Sequence, residues 1–150
     1  MRVVIQRVSE ASVTIDQQKV AEIAKGLLVL VGIVPEDTYE DIEWLCQKII
    51  KLRIFGDEKG LMNLSLQDID GEIIVVSQFT LHALTKKGNR PSYIKAARPE
   101  TAIPLYESFK KRLQELLSKE VKSGEFGADM KVALINDGPV TITIDSHNKE

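Results

Sequence analysis

Residues 27–34, LLVLVGIV, are apolar at every position except Gly32, and no other stretch limits the fold as much. A strand wetted on one face alternates apolar and polar side chains, so an unbroken run belongs to a strand covered on both faces. The sheet that holds it needs material on each side. Three short β-branched segments precede it, at 3–8, 13–16 and 20–23, and the opening MRVVIQRVSEASVTI therefore reads as a strand pair. After it, Asp37 with Glu40 three residues on marks a helix start. Ile42, Leu45, Ile49 and Leu52 then recur at helical spacing, with Cys46 beside them as a small core residue. Residues 73–76, IIVV, make another buried strand. A second helix is predicted over 101–118, capped by Thr101, with Pro104 in its first turn and Leu105, Phe109, Leu113, Leu116 and Leu117 as its buried stripe. A hairpin closes the chain, 131–135 and 140–145 joined by the turn residues NDGP. Strands lead, two helices are inserted, and strands end the chain. That order lacks the regular alternation of a doubly wound sheet and fits a layered α/β domain with both helices on one face.

The 150 residues suit one domain, 1–150, with no linker, repeat or low-complexity segment. Hydrophobic content of 43% with 28% charged residues excludes a disordered chain. No apolar run approaches the roughly 20 residues that span a membrane, and the N-terminus lacks the apolar core of a signal peptide, so a cytoplasmic protein is expected. One cysteine, Cys46, excludes an intrachain disulfide and a cysteine-cluster metal site. Two histidines leave little for a metal centre, and neither a metal nor a cofactor is expected. His147 lies in a polar tail expected to be disordered, and His82 is expected on the surface or in packing. A Ser-His-Asp triad therefore lacks its imidazole.

Net charge is −2, yet Lys86, Lys87, Arg90, Lys95 and Arg98 fall within thirteen residues that contain no acid. Such a run is ordinarily a solvated loop, and it can also touch phosphate. It lies in the long polar segment 82–99, which is of a length that tends to be functional.

Two stretches resist a packing explanation. Ser77 and Gln78 end the buried 73–76 strand without a turn residue, before Phe79, Thr80 and Leu81 resume the apolar character. A buried polar group without a partner costs about 1–3 kcal/mol, so these two either have internal partners or face a cavity that something enters. The other stretch is NDGPVT at 136–141, where Pro139 sits badly in a ladder and the local reading is a tight turn.

SQFTL, then GNRPSY, then NDGPVT, in this order and spacing and with the opening MRVVIQRVSEASV, resemble the D-aminoacyl-tRNA deacylase family over nearly the whole chain. The resemblance implies cleavage of the ester joining a D-amino acid to the 3′-terminal adenosine of tRNA. It implies a three-layer β/β/α domain acting as a homodimer, with tRNA and not DNA as partner. Ser77, Gln78, Phe79 and Thr80 match the pocket for the aminoacyl end. Gly138 and Pro139 match a cis Gly-Pro motif that enters the partner's site and turns away L-aminoacyl groups. Phe126 and Met130 match positions at the terminal adenosine, and Arg7 matches a residue that holds the Gly-Pro motif. On this reading the backbone N–H groups of residues 78–80 stabilise an oxyanion. Thr80 is the obvious nucleophile, but no neighbour in sequence would take its proton, and a ribose 2′-hydroxyl assisting water is the favoured route. A non-catalytic RNA-binding module, stacking on Phe79 or Tyr93, and a general esterase remain as rivals.

Overall fold

The chain runs through β1 (Arg2–Ile15), β2 (Gln18–Ile23), β3 (Gly26–Gly32), α1 (Tyr39–Lys51), β4 (Phe55–Gly56), β5 (Met62–Leu64) and β6 (Glu72–Ser77). A one-turn 3-10 helix (Phe79–His82), α2 (Pro99–Leu117), β7 (Lys122–Ser123) and β8 (Lys131–Asp145) complete it. The computed structural model describes residues 1–150.

Five strands lie in the order β2-β1-β3-β6-β7, and β8 joins through β1; β4 and β5 form a separate pair. The sheet is mixed. β3 and β6 are parallel neighbours, as are β6 and β7, while β1 is antiparallel to β2, β3 and β8. β3 is the covered strand that its apolar run demanded. Leu27, Val29 and Val31 join the larger core cluster with Ile42, Leu45, Cys46 and Ile49 of α1 and Ala102, Tyr106, Phe109 and Leu113 of α2. Leu28 points into a smaller cluster built from strands alone, with Val8, Ala11, Val13, Ile74 and Val76. Both helices thus cover one face. No helix is long and apolar enough to cross a membrane.

Several sequence expectations change in detail. Residues 2–15 form one strand rather than a pair, and 131–145 form one strand rather than a hairpin. The two pair along most of their length, from Arg2↔Asp145 to Thr14↔Lys131, with breaks at Gln6↔Thr141, Val8↔Asn136 and Glu10↔Ile135. Asp-Gly-Pro is therefore an excursion from a continuous ladder, which a purely local reading of turn residues cannot distinguish from a hairpin tip. α1 is capped by Thr38, whose hydroxyl accepts from Glu40 N–H while Asp41 reaches back to Thr38 N–H. Asp37, one residue earlier, is buried instead. It accepts from Val34 N–H at 2.7 Å and from the Met1 amino group, and His147 Nε2 lies 2.7 Å from it. His147 is therefore bonded to the fold rather than free in a tail. α2 begins at Pro99, with Arg98 as a cap that makes no side-chain bond, so Thr101 is already helical and Pro104 lies inside the helix. The stripe is turned by one residue: Tyr106 is buried and Leu105 only half so.

Candidate active site

Ser77 ends β6 opposite Val31 of β3, and the next amide, Gln78 N–H, donates to Val31 O at 2.7 Å. That bond closes the parallel ladder. The chain then turns into the 3-10 helix, in which Leu81 N–H donates to Gln78 O. Arg2 clamps this turn from below, donating through Nη1 to Leu81 O at 2.8 Å and through Nε and Nη2 to the Asp145 carboxylate. The buried strand therefore delivers two polar residues and a helical start to one end of the sheet. Of the backbone donors expected from residues 78–80, Gln78 N–H is spent on Val31. Phe79 and Thr80 open the 3-10 helix, where amides have no partner within the helix.

A cavity of about 300 Å³ opens here, with Ser77, Gln78, Phe79, Phe126, Met130 and Val132 in its wall. Thr80 lies just behind. Gln78 Nε2 donates to Thr80 Oγ1 at 2.5 Å, so the only side-chain partner of the threonine hydroxyl is a donor, not a base. The polar pair that ended the strand is half-buried and faces this cavity. Its opposite wall depends on residues that sequence reasoning missed. Tyr106 donates its hydroxyl to Val75 O at 3.0 Å, and its ring meets Phe126 at a centroid distance of 5.8 Å. Burial raises the Tyr106 pKa far above the ordinary phenol range, so its hydroxyl stays a donor. A Cβ on Gly124 would overlap Met130 Sδ, so this glycine makes room for the methionine. Tyr106 had a signal, three residues before Phe109 on the α2 stripe; Gly124 had none beyond being a breaker.

Gly138 and Pro139 do not reach this cavity in their own chain. They are exposed, joined by a cis peptide, and carried on the β8 excursion. Arg7, which with Ser9 is skipped by the β1–β8 ladder, fills the gap. Its Nε donates to Asp137 O at 2.9 Å and its Nη1 to Ile54 O. Asn136 braces the other side, accepting from Val140 N–H and donating to Thr141 Oγ1, both at 2.9 Å. Gly138 has φ +132°, a region that L side chains rarely adopt, and an added Cβ would lie 2.7 Å from Arg7 Nη2.

His82 ends the 3-10 helix, is only 7% exposed, and leaves Nε2 without a partner. Burial pulls its pKa below the ordinary 6.5; a bond with the Gly32 backbone opposes this and the Arg2 charge adds to it. The unfolded chain then takes up a proton near pH 6.5 that the folded chain refuses, so this stability is present above that pH and lost as pH falls toward the lower folded value. Thermal midpoints should drop between pH 7.5 and 5.5 more in the wild type than in His82→Leu, which keeps His147 and every carboxylate. Equal drops would show that His82 does not carry the acid sensitivity.

A family model described as D-Tyr-tRNA(Tyr) deacylase matches residues 4–145. Proteins named D-aminoacyl-tRNA deacylase in Flavobacterium johnsoniae and Flavobacterium psychrophilum are 69% and 71% identical over 150 residues, covering 100% of both chains in each case. A solved structure titled "c-Myc DNA Unwinding Element Binding Protein" superposes with a TM-score of 0.92 at 42% identity, over 97% of this chain and 98% of that one. Another, titled "Structural Analysis of a probable eukaryotic D-amino acid tRNA deacylase", has a TM-score of 0.83 at 16% identity, covers 95% and 97% of the two chains, and shares the fold alone. With a model match across almost the full length and relatives identical at more than two positions in three, the chain belongs to the D-Tyr-tRNA(Tyr) deacylase family.

Proposed function

We propose that this protein hydrolyses the ester between a D-aminoacyl group and the 3′-terminal adenosine of tRNA, without metal or cofactor, in the cytoplasm where tRNA is charged and used. The observation that carries the reading is the cavity itself. It joins an aromatic and thioether wall, Phe126 and Met130, to the polar strand end Ser77-Gln78 and the first turn of the 3-10 helix. The wall suits a purine, and the Phe79 and Thr80 amides suit the oxyanion that forms when the ester carbonyl is attacked. Water attacks the carbonyl carbon, the carbon–O3′ bond breaks, and the 3′-oxygen leaves with a proton. The neighbouring ribose 2′-hydroxyl assists the proton transfer.

The environment of Thr80 supports water over a covalent route. A hydroxyl nucleophile needs a base within about 2.6–3.2 Å. Thr80 instead receives a proton donor from Gln78, His147 is bonded to Asp37, and His82 is buried with no hydrogen bond to Thr80. Handedness is read by exclusion on this account. In a homodimer the exposed Gly138-Pro139 unit of one subunit enters the cavity of the other and occupies the space an L side chain would need.

Single-turnover assays on D-tyrosyl-tRNA and L-tyrosyl-tRNA test the reading. The D ester should be cleaved and the L ester left intact, and Thr80→Ala should retain the D rate within about tenfold. No release of D-tyrosine above the spontaneous rate would overturn the proposed activity. A loss of three or more orders of magnitude in a folded Thr80→Ala would replace the water route by a covalent one.

A further inference from the structure

Phe79 and Tyr93 form an exposed aromatic pair at the mouth of the cavity. Their ring centroids are 5.0 Å apart at an interplanar angle of 79°, so one ring props the other edge to face. Phe79 is 54% exposed and Tyr93 39%. Two such rings left open cost burial that the core could have used. Their positions are fixed. Tyr93 follows a two-bond bridge between Leu84 and Ser92, its carbonyl accepts from Ala96 N–H, and Ala97 N–H ties the segment to Ile33 O at 2.9 Å.

The two rims of the cavity differ in charge. Beside Phe126 and Met130 lie the exposed acids Glu125 and Asp129. The loop that brings Tyr93 against Phe79 and Ala97 to the cavity wall carries Lys86, Lys87, Arg90, Lys95 and Arg98, all exposed and none paired with a carboxylate. A polyanionic strand whose last nucleoside sits in the cavity leaves over the cationic rim. The first base it carries across that rim meets the aromatic pair.

We propose that Phe79 and Tyr93 are a stacking platform for the nucleotide that precedes the terminal adenosine, with the 86–98 cations holding its phosphates. This rests on the hydrolytic reading above and extends it by one nucleotide. Stacking suits any base, and single-stranded nucleic acid is commonly held by aromatic faces beside a positive groove. On the reading above the partner subunit's Gly-Pro loop enters the cavity itself; at the aromatic pair a second copy of this chain is the competing occupant, and the unpaired cations favour the polyanion there.

Two esters separate the possibilities: D-tyrosyl-tRNA, and 3′-D-tyrosyl adenosine, which ends before the nucleotide in question. Tyr93→Ala should lower kcat/KM for the tRNA ester about tenfold more than for the adenosine ester, through KM, in line with the loss of one stacked base. Tyr93→Leu, which keeps bulk without a π face, should behave the same way, and Tyr93→Phe should restore the wild-type ratio. Equal losses on both esters would mean that Tyr93 only props Phe79, and would overturn the proposal. So would a Tyr93→Ala protein that sediments as a smaller species than the wild type, which would make the pair a face between copies. Wild-type inactivity on both esters is a distinct pattern and would overturn the hydrolytic reading together with this one.

Discussion

Glycyl-tRNA is expected to be hydrolysed about a hundredfold faster than L-alanyl-tRNA by the same preparation, the upper end of what forcing an extra methyl against packed atoms costs. The expectation follows from how handedness would be read. A shaped pocket that gripped the D side chain would struggle to serve small and large side chains alike, since each methylene is worth only about 1–3 kcal/mol. Backbone placed where the L side chain must go has no such difficulty. Gly138 brings no side chain to the encounter, Pro139 has a fixed φ, and Arg7 and Asn136 brace the strand on either side. Glycine offers nothing to exclude, so its ester passes. Release of radiolabelled glycine and alanine at equal enzyme concentration decides the matter. Equal resistance of the two esters would mean that the D side chain is recognised positively.

Gly138→Ala should collapse that selectivity while leaving the domain folded. The new Cβ would sit 2.7 Å from Arg7 Nη2 and 2.9 Å from Val140 Cγ2, in a backbone conformation that penalises any side chain. Arg7 also bonds Ile54 O and Asp137 O, so it cannot yield without releasing the loop it holds. A displacement of about 1 Å at a reacting centre can cost roughly a hundredfold in rate, and the ratio of D- to L-tyrosyl-tRNA hydrolysis should fall by one to two orders of magnitude. The strain should lower the unfolding midpoint by only a few degrees, because Gly138 is exposed and outside both core clusters. A folded Gly138→Ala protein with an unchanged D-to-L ratio would remove this loop from chiral discrimination.

Periodicity made the covered strand, the two helices and the core residues Ile42, Leu45, Ile49, Phe109 and Leu113 legible, because burial imposes spacing within a single element. It could not show that 2–15 and 131–145 are single strands. Asp137-Gly138-Pro139 carries local turn chemistry, and the ladder that overrides it is paid for by residues 130 positions away. Helix starts slipped by a few residues for a related reason. Asp37 resembles a cap until the Met1 amino group and His147 are seen to claim its carboxylate. Within the candidate site, Ser77 and Gln78 announced themselves as polar residues ending an apolar strand. Phe126 and Met130 could be placed only by resemblance, since no pattern local to 124–130 says that they close a cavity begun at 77. Tyr106 and Gly124 act through neighbours that only the tertiary structure supplies.

The irregular pairing of β1 with β8 has an odd–even consequence. From Gln6 to Val8 the first strand advances two residues while its partner advances five, from Thr141 back to Asn136; from Val8 to Glu10 the surplus reverses, two against one. The surplus of three swaps which side of β8 its even-numbered residues face. Val140, Ile142 and Ile144 therefore pack on the helix-covered cluster, while Met130, Val132 and Leu134 pack on the other. Because side chains alternate with a period of two, losing a single residue from the Gly-Pro excursion would turn one half of β8 inside out, whereas losing two would not. Met130 and Val132 belong to the cavity wall. The length of the exposed loop and the lining of a cavity it does not touch are thus joined by parity, and lineages that lengthen or trim the loop should do so in pairs of residues.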